Sequence, residues 1–475
     1  MRHFNGSAGP ELTALPPGGG MVRTDVTDLS PSGPSSLWQT AAPPAWHNRA
    51  RTAQASPQVW AAPSTPQDVA LVTARAAEAG LRVRPVGAGT ALSPLAAGQE
   101  VMLSLAGLRG VSALDEAGGT VTVWAGTPLG ELAAALDSRG LSVPGLGGHA
   151  EQTLGGALAT GAHATGLSSP RLGAAVTELE LVDGQGQVQR LRPGDPHFGA
   201  AALSLGALGV VTRATLRTQP AYRLRLSTRP VSWGELRALG PEYAQAAPHV
   251  SLTWRPSRED HEAVLLRRAW PVDSAAEAES SPGPVGSLLG GPAQALADAG
   301  ALFSPLPAPM RHLLESRAQA EVVLAPQHAL LTGGDPLREL EYAVPLAALT
   351  LALRDLRSVL IRAGTQGTPL QLPLGVRFVA ADDLLLGTPA GEGMAVIALG
   401  APLALPPEVT APHFREAEGV LRSYGGLPAW GRLHGLGESE LAALYPGWTE
   451  FRAAREALDP QRRFGSPYLR RVLGE

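Results

Sequence analysis

The residues most suggestive of chemistry form two separate glycine-rich stretches. The first runs from Gly87 to Ala91, and the second runs from Thr153 to Gly166. Small residues let a ligand approach the backbone closely, and successive exposed N–H groups form a nest that binds anions. Two such loops could hold one extended diphosphate ligand between them. Tight turns and close helix packing explain the same composition equally well, so the residue types alone leave both interpretations open.

The first stretch does not match the Rossmann fingerprint for dinucleotides. That fingerprint follows a strand, opens a helix and needs Gly or Ala at the position where this chain has Leu92. Ser93 and Pro94 come next, and no clear βαβ unit surrounds the stretch. The sequence therefore does not predict a Rossmann nucleotide site.

Whole-chain composition excludes several kinds of chemistry. The chain has no Cys, which excludes disulfides, thiolate metal sites and a cysteine nucleophile. All 38 basic residues are Arg, which excludes a P-loop lysine and a Schiff-base lysine. A net charge of −4 argues against nucleic acid as the main partner. No histidine and carboxylate cluster indicates a metal site.

Local patterns predict the elements that must position the two stretches. Ser64 to Asp68 has an early Pro and an acid in the first turn, which predicts a helix that begins there and ends at Gly80. Asp183-Gly184 predicts the turn of a hairpin between two apolar strands. Further strands are predicted over 81–86, 101–105 and 120–124, and a further helix over 129–138. Alternating strands and helices indicate an α/β or α+β region.

The chain is too long for one ordinary core, since single cores stop growing near about 250–300 residues. From Tyr222 on, strand-like runs dominate and predict a second domain built on an antiparallel sheet. We predict a disordered segment over 1–37, a first domain over 38–222, a second domain over 223–426 with a flexible insertion at about 272–300, and a C-terminal segment over 427–475. The C-terminal segment contains a predicted helix from Trp448 to Leu458.

Several blocks in order resemble one known family of flavoproteins. They are Arg84 to Pro94, Gly126 to Leu132, Gly155 to Gly166 and Leu205 to Thr212, with Glu341 to Pro345, Leu458 to Pro460 and Pro467 to Leu469 further on. Together they look like the vanillyl-alcohol-oxidase-type (PCMH-type) flavoproteins, in the branch of the aldonolactone and alditol oxidases. The implied fold class is α+β, with a PCMH-type α/β FAD-binding domain and a cap domain that has a large antiparallel sheet.

The resemblance implies FAD as the cofactor, held between the two glycine-rich stretches, with Val210 contacting the flavin ring through its backbone. Relatives often carry a His that bonds covalently to the flavin, and Thr90 stands at that position. Threonine cannot form that bond, so we expect dissociable FAD. The residues implied to contact FAD are Gly87, Ala88, Gly89, Thr90, Ala91, Thr153, Gly155, Gly156, Thr160, Gly161, His163, Thr165, Gly166 and Val210. Of these, His163 is expected to orient the second stretch.

The substrate side departs from the family pattern. Relatives pair an acid with an Arg two residues later, and this chain has Gly375 and Arg377 there. Histidines of relatives are replaced by Gly400 and Ala429.

The polar residues that remain are Arg377, Arg432 and His434. Two arginines suit an anionic or carbonyl-bearing substrate, because a guanidinium binds such oxygens in a fork. His434 is then the candidate proton acceptor. The alternatives are a structural loop histidine for His434, an ion pair with Asp382 or Asp383 for Arg377, and a solvated residue for Arg432.

The resemblance implies an FAD-dependent oxidoreductase that oxidises a hydroxyl of an aldonolactone or alditol by hydride transfer to the flavin. The replaced residues leave open the alternative of a catalytically degenerate FAD-binding protein with a binding or regulatory role. The expected partners are a small-molecule substrate and an electron acceptor, either dioxygen or a carrier. No apolar run reaches the ~18 residues of a membrane span, and the N-terminus lacks signal-peptide features, so we expect a cytoplasmic protein.

Overall fold

The fold is described from a computed structural model that covers residues 37–254, 263–272, 323–326, 331–332, 337–365, 372–389, 391 and 393–474. The predicted disordered segment, apart from Leu37, lies outside these residues. So does the predicted insertion, apart from Val272.

The first domain contains a small parallel sheet and a larger antiparallel sheet. Its strands are β1 (Trp46–His47), β2 (Gln54–Ala55), β3 (Val59–Ala61), β4 (Val83–Val86), β5 (Val101–Ser104), β6 (Val111–Asp115), β7 (Thr120–Trp124), β8 (Leu141–Ser142), β9 (Gly148–His149), β10 (Val176–Val182), β11 (Val188–Leu191), β12 (Val210–Arg217) and β13 (Gln219–Pro220). The parallel sheet has the order β3-β5-β4, and the antiparallel sheet has the order β11-β10-β12-β7-β6. Buried aliphatic residues of both sheets belong to one continuous core.

The helices of this domain are α1 (Pro66–Glu78), α2 (Leu129–Asp137), α3 (Leu154–Thr160) and α4 (Phe198–Ala201). The predicted start of α1 is confirmed, because Thr65 and Asp68 cap each other's backbone N–H groups. The predicted hairpin is also present. The Asp183 Oδ1 accepts from the N–H groups of Gln185 and Gln187, each at 2.9 Å, which fixes the turn between β10 and β11.

The second domain is built on an eight-stranded antiparallel sheet. Its strands are β14 (Arg223–Ser232), β15 (His249–Trp254), β16 (Ala263–Val272), β17 (Val323–Pro326), β19 (Leu337–Pro345), β20 (Leu374–Val379), β21 (Met394–Pro402) and β22 (Leu427–Pro428), while the short β18 (Leu331–Thr332) pairs with β9 of the first domain. The strand order is β17-β14-β16-β15-β20-β21-β19-β22. β19, β20 and β21 are therefore neighbours, although β20 and β21 follow β19 only after a long helix.

Helices of the second domain form a layer that our strand-dominated prediction missed. They are α5 (Trp233–Tyr243), α6 (Leu349–Thr365) and α7 (Pro407–Ser423), and α6 contacts both α5 and α7. The apolar positions of α6 include Leu349, Leu353, Leu356 and Leu360, all buried. Their 3.6-residue spacing was available in the sequence.

The C-terminal segment contains α8 (Glu438–Leu444), α9 (Trp448–Leu458) and α10 (Pro467–Leu473), and α9 has the predicted bounds. Several backbone oxygens of this segment accept hydrogen bonds from the first domain. Val83 N–H donates to Arg463 O at 2.8 Å, Arg84 donates to Phe464 O at 2.7 Å, and Leu92 N–H donates to Gly431 O at 2.7 Å. Among the helices that the structure describes, none has the length and apolar character needed to cross a bilayer.

Candidate active site

Two glycine-rich loops meet at the edge of the first domain. The first follows β4, and the second contains α3, whose N-cap is Thr153. A Cβ built on Gly87 would lie 2.0 Å from the Thr153 Oγ1, which is far inside van der Waals contact. Only glycine at position 87 therefore allows the loops to pack this closely.

Between the loops lies a cleft, which we call the first cleft. Residues 87–91 line one wall, and Thr153, Gly155, Gly156, Ala159 and Thr160 line the other. A Cβ built on Gly156 would have only the Thr153 Oγ1 within 4 Å, at 3.2 Å, so a side chain there would extend into the cleft. The cleft measures about 700 Å³ with the solvent at its mouth, which is within the usual range for ligand sites.

The charged residue that lines the first cleft is Arg84. Its guanidinium is buried and donates to Leu205 O, Gly206 O and Phe464 O at 2.7–3.1 Å. These contacts join the first loop, the loop before β12 and the C-terminal segment. The result is a small-residue cradle with hydroxyl donors and a fixed positive charge at its base. Such a cradle fits the diphosphate of an extended cofactor.

Most of the residues predicted to contact FAD line the clefts. Nine of them line the first cleft, and Gly161 and His163 line a second cleft beside it. Thr165, Gly166 and Val210 do not line either cleft. The Thr165 hydroxyl accepts from the Phe378 N–H at 3.3 Å, and the Gly166 N–H donates to Phe378 O at 2.8 Å. These two residues join the second loop to β20 instead.

The second cleft lies between the second loop and the sheet of the second domain. Its lining includes Gln152 and Thr160, which also line the first cleft, so the two clefts are adjacent. Its polar wall is formed by His149, His163, Arg171, Glu341, Arg377 and Arg432. Of the predicted catalytic residues, Arg377 and Arg432 are therefore brought together here.

Arg377 has a carboxylate partner that our sequence analysis missed. Its Nη2 donates to the Glu341 Oε2 at 2.5 Å. Gly375 on β20 is opposite Ala398 on β21, and Ala398 is opposite Glu341 on β19. Glu341 therefore lies in the same row across the sheet as Gly375, which is the position where the family pattern has an acid. Residues in one row face the same side of a sheet. Glu341 thus supplies a carboxylate from β19 to an arginine on β20, across the small side chain of Ala398.

Arg432 is paired in the same way. Its Nε lies 2.8 Å from the Glu339 Oε2, which makes the two side chains an ion pair. Glu339 is opposite Gly400 in the sheet register. The alternative considered for Arg377, an ion pair with Asp382 or Asp383, is replaced in the described residues by the ion pair with Glu341. Asp382 is bound by Arg171 at 2.7 Å instead.

Opposing effects set the ionisation of Glu341. Burial alone would raise the pKa of the Glu341 carboxyl, but Arg377, His163 and Arg432 outweigh burial and hold the pKa well below its usual range. Burial, together with Arg432 and Arg377, lowers the pKa of His149 to about 4. At neutral pH the cleft therefore presents an ionised Glu341 and an uncharged His149.

His434 lies behind the wall of the second cleft. It packs edge-on against the rings of Trp430 and Tyr468, and its Nε2 is 2.9 Å from the Tyr468 hydroxyl. Trp430 lines the cleft, but His434 does not. Burial, with a contribution from Arg471, lowers the pKa of His434 to about 3. The structure therefore separates His434 from the cleft that holds Arg377 and Arg432.

Known structures share this architecture. Cholesterol oxidase from Brevibacterium sterolicum superposes with a TM-score of 0.74 and 19% sequence identity, over 93% of this chain and 98% of that one. Residues 57–192 match the family model of an FAD binding domain. The fold and the paired glycine loops define an FAD-dependent oxidoreductase with a PCMH-type FAD domain and a cap. This confirms the fold class, the cofactor and the enzymatic nature expected from the sequence.

The second domain and C-terminal segment identify the family. Residues 214–472, more than half of the chain, match the family model of D-arabinono-1,4-lactone oxidase. L-gulono-1,4-lactone dehydrogenase of Mycobacterium tuberculosis is 30% identical over 91% of this chain and 99% of its own length. Alditol oxidase of a Streptomyces species is 29% identical, over 78% of this chain and 86% of its own length. The chain belongs to the D-arabinono-1,4-lactone oxidase family.

Proposed function

We propose that this enzyme oxidises a hydroxyl group of an uncharged polyhydroxy compound, either a sugar lactone or an alditol. The observation that carries the proposal is the pairing of charges in the second cleft. Arg377 is paired with Glu341, Arg432 with Glu339, and Arg171 with Asp382. A cleft whose cations are already neutralised offers little attraction to an anion. It still offers many donors and acceptors for hydroxyl groups.

The pairing changes what the two arginines are expected to do. From the sequence, they suited an anionic or carbonyl-bearing substrate. With Glu341 present, an incoming carboxylate would have to displace the Glu341 oxygen from Arg377 and would be repelled by it. A hydroxyl can donate to Glu341, and a hydroxyl or lactone oxygen can accept from Arg377. The names of the relatives, a lactone dehydrogenase and an alditol oxidase, agree with a neutral substrate.

FAD, bound in the first cleft, would accept the hydride from the substrate C–H bond, and the chemistry of that transfer belongs to the cofactor. Gly87 to Ala91 and the start of α3 would hold it. The chain's residues in the second cleft bind the substrate, orient its carbinol and take the hydroxyl proton. Glu341 restores an acid beside Arg377, and this argues against the alternative of a catalytically degenerate protein.

The test is anaerobic reduction of the purified holoenzyme with matched pairs of compounds. Each pair consists of a neutral 1,4-lactone and the aldonate anion obtained by its hydrolysis, and alditols complete the panel. We expect a lactone or an alditol to bleach the flavin absorbance, and the aldonates to be inactive at equal concentration. Bleaching by aldonates alone, or by no compound in the panel, would overturn the proposal.

Glu341→Gln provides the matched variant for the charge argument. Glutamine has nearly the same shape but leaves the Arg377 guanidinium without its counter-ion. We expect an aldonate to bind this variant at least ten-fold more tightly than it binds the wild type, measured by perturbation of the flavin spectrum. Equal aldonate affinity in both proteins would contradict the role given to the ion pair.

The electron acceptor belongs to the same experiment. After reduction, admission of air shows whether dioxygen reoxidises the flavin at a useful rate. We propose dioxygen or a soluble carrier as the acceptor, since the relatives are named both as oxidases and as dehydrogenases. Comparing the rate of reoxidation by air with the rate by an artificial quinone acceptor separates these two cases.

A further inference from the structure

The orientation of His163 fixes which of its ring nitrogens carries the proton. The Nδ1 lies 2.7 Å from the backbone oxygen of Ala164. A carbonyl oxygen can only accept, so the Nδ1 must carry a hydrogen. A neutral imidazole has one N–H, so the lone pair is then on the Nε2. The local backbone thus selects the tautomer whose basic nitrogen is the Nε2.

That basic nitrogen lies beside the carboxylate of the second cleft. The His163 Nε2 is 3.9 Å from the Glu341 Oε1, while the other carboxylate oxygen is held by Arg377. Both His163 and Glu341 side chains are at least nine-tenths buried, and both line the second cleft. A separation of 3.9 Å is too long for a direct hydrogen bond. The Nε2 lone pair can therefore accept the single hydrogen of a substrate hydroxyl in the second cleft, at about 2.8 Å, with the Glu341 carboxylate close by.

The backbone around His163 is fixed on both sides. Ala162 N–H donates to Ala157 O at 2.9 Å, which ties the residue to α3, and Leu172 N–H donates to Ala162 O at 2.9 Å. His163 also forms a β-bridge with Arg171. The imidazole is therefore positioned by the same loop that lines the first cleft. A base placed in this way lies on the wall of the second cleft.

We propose that the His163 Nε2 is the catalytic base that accepts the hydroxyl proton of the substrate, with Glu341 stabilising the imidazolium that results. This inference rests on the proposed function. The substrate O–H bond breaks and its proton forms the Nε2–H bond. The C–H bond would break with both electrons leaving as hydride to bound FAD, which would supply the two-electron oxidant. The electron pair left on oxygen would then complete the new carbonyl, which balances the two-electron oxidation of the carbinol.

The surroundings of the other candidates are less suited to gaining a positive charge. Burial and the charges of three arginines, Arg432, Arg377 and Arg49, disfavour a proton on the His149 ring and together outweigh Glu341, which favours one. His434 is outside the cleft lining. His163, by contrast, would gain its charge beside an ionised carboxylate. The pairing of a base with a carboxylate that stabilises its protonated form is the general logic of catalytic dyads.

The first experiment measures flavin reduction by stopped flow, under anaerobic conditions, with the best lactone or alditol of the panel. We expect His163→Gln to slow reduction by ~10²–10⁴-fold, the usual contribution of general-base catalysis. Flavin content should change little, because His163 lines the second cleft and not the first, and Gln keeps a neutral polar side chain of similar size there. His413→Gln, on α7 of the cap, serves as the control for loss of a histidine and should reduce at the wild-type rate. In His163→Ala, added imidazole should restore part of the rate.

Two outcomes of this experiment overturn the proposal. One is His163→Gln reducing at the wild-type rate while the wild type is bleached normally; the proposed function then stands and the base lies elsewhere. The other is His434→Gln slowing reduction by the expected factor while His163→Gln does not, which assigns the proton to His434. If no compound bleaches the wild type, the proposed function has failed instead.

A second measurement does not depend on catalysis. In the holoenzyme labelled with ¹⁵N-histidine, the His163 ring, identified by its loss in His163→Gln, should show the Nδ1–H tautomer in the neutral state. The Nε2–H tautomer would place the lone pair against Ala164 O, away from the cleft, and would overturn the proposal whatever the kinetics show.

Discussion

At the scale of single residues, the active site shows how a missing side chain can be replaced from a distant part of the chain. Gly375 lacks the carboxylate that the family pattern places two residues before Arg377. Glu341 supplies one from the same register row, two strands away. The arginine keeps a counter-ion at 2.5 Å although the local motif is broken. A residue's role in this site is therefore defined by sheet register rather than by motif spacing.

His434 provides a prediction about stability at acid pH. Its folded-state pKa of about 3 lies below the ordinary value of 6.5, so the unfolded chain binds more protons between these limits. Stability from the neutral His434 is therefore fully present above about pH 6.5 and is lost as the pH falls toward 3. Between pH 7 and pH 4.5, the free energy of unfolding should therefore fall by on the order of 2–3 kcal/mol less in His434→Gln than in the wild type.

The measurement is denaturant unfolding of both proteins at the two pH values. His47→Gln, at an exposed position, is the control for replacing a histidine with glutamine. The lowered pKa of His149 also reduces stability at acid pH, but equally in the wild type and in His434→Gln. The difference in pH dependence between the two proteins therefore reports His434 alone. An identical pH dependence for wild type and His434→Gln would show that His434 is not held neutral in the fold.

At the scale of elements, the glycine loops and α3 act as one cofactor-binding unit. The loops touch at Gly87 and Thr153, and Gly161 ends α3 with a left-handed φ of 68°. A Cβ on Gly161 would also lie 2.9 Å from Leu203. Glycine at position 87 allows the two loops to approach closely, and glycine at position 161 allows the left-handed end of α3. Gly156 differs from both, because the Thr153 Oγ1, at 3.2 Å, is the one group close to a Cβ built there, and the position faces the cleft.

Gly156→Asp should abolish FAD binding while both domains remain folded. The carboxylate would enter the first cleft and repel the diphosphate. Gly156→Asn separates size from charge, and we expect it to retain weak binding. Gly156→Ala adds one methyl group 3.2 Å from the Thr153 Oγ1, a tight contact that offsets the gain in helix propensity, so we expect it to keep both the fold and FAD.

Bound flavin per protein, from absorbance, and the circular dichroism spectrum together test this series. Full flavin content in Gly156→Asp would mean that the cofactor does not lie against α3. Loss of the folded spectrum in Gly156→Ala as well as Gly156→Asp would show that position 156 is needed for folding instead.

At the scale of the whole molecule, the C-terminal segment connects parts that are distant in sequence, and FAD bound in the first cleft would do the same. Ser93 Oγ donates to Trp430 O at 2.9 Å, and Arg84 reaches Phe464. Trp430 also lines the second cleft. Hydrogen bonds from Arg84 and Ser93, on either side of the first loop, therefore connect it to the C-terminal segment and to the wall of the second cleft. A ligand bound between these parts is expected to stabilise the entire fold.

We predict that FAD is bound without a covalent bond, because Thr90 lines the first cleft where relatives often have a histidine. Acid precipitation should leave the yellow colour in the supernatant. Removing FAD and then restoring it at 100 times its dissociation constant should stabilise the protein by about 2.7 kcal/mol, visible as a rise in the melting temperature. Flavin that stays in the washed pellet would contradict the prediction.

Features encoded over short distances could be predicted from the sequence. The capping of α1, the hairpin turn at Asp183, the bounds of α9 and the two glycine loops all depend on residues a few positions apart. Backbone conformation and helix capping are local interactions, so their signals lie in one window of sequence. The α6 and α7 helices of the cap were not predicted, because their apolar periodicity stands next to strand-like runs that favour a sheet.

The polar wall of the second cleft was decided by the tertiary structure alone. Nothing in the sequence indicates that β19 lies two strands from β20, because β21, which separates them, comes later in the chain. The partners of Arg377 and Arg432, the distance between His163 and Glu341, and the position of His434 behind Trp430 all depend on that strand order. Pairing between distant strands is set by burial of the whole sheet, and a single sequence carries no local signal for it.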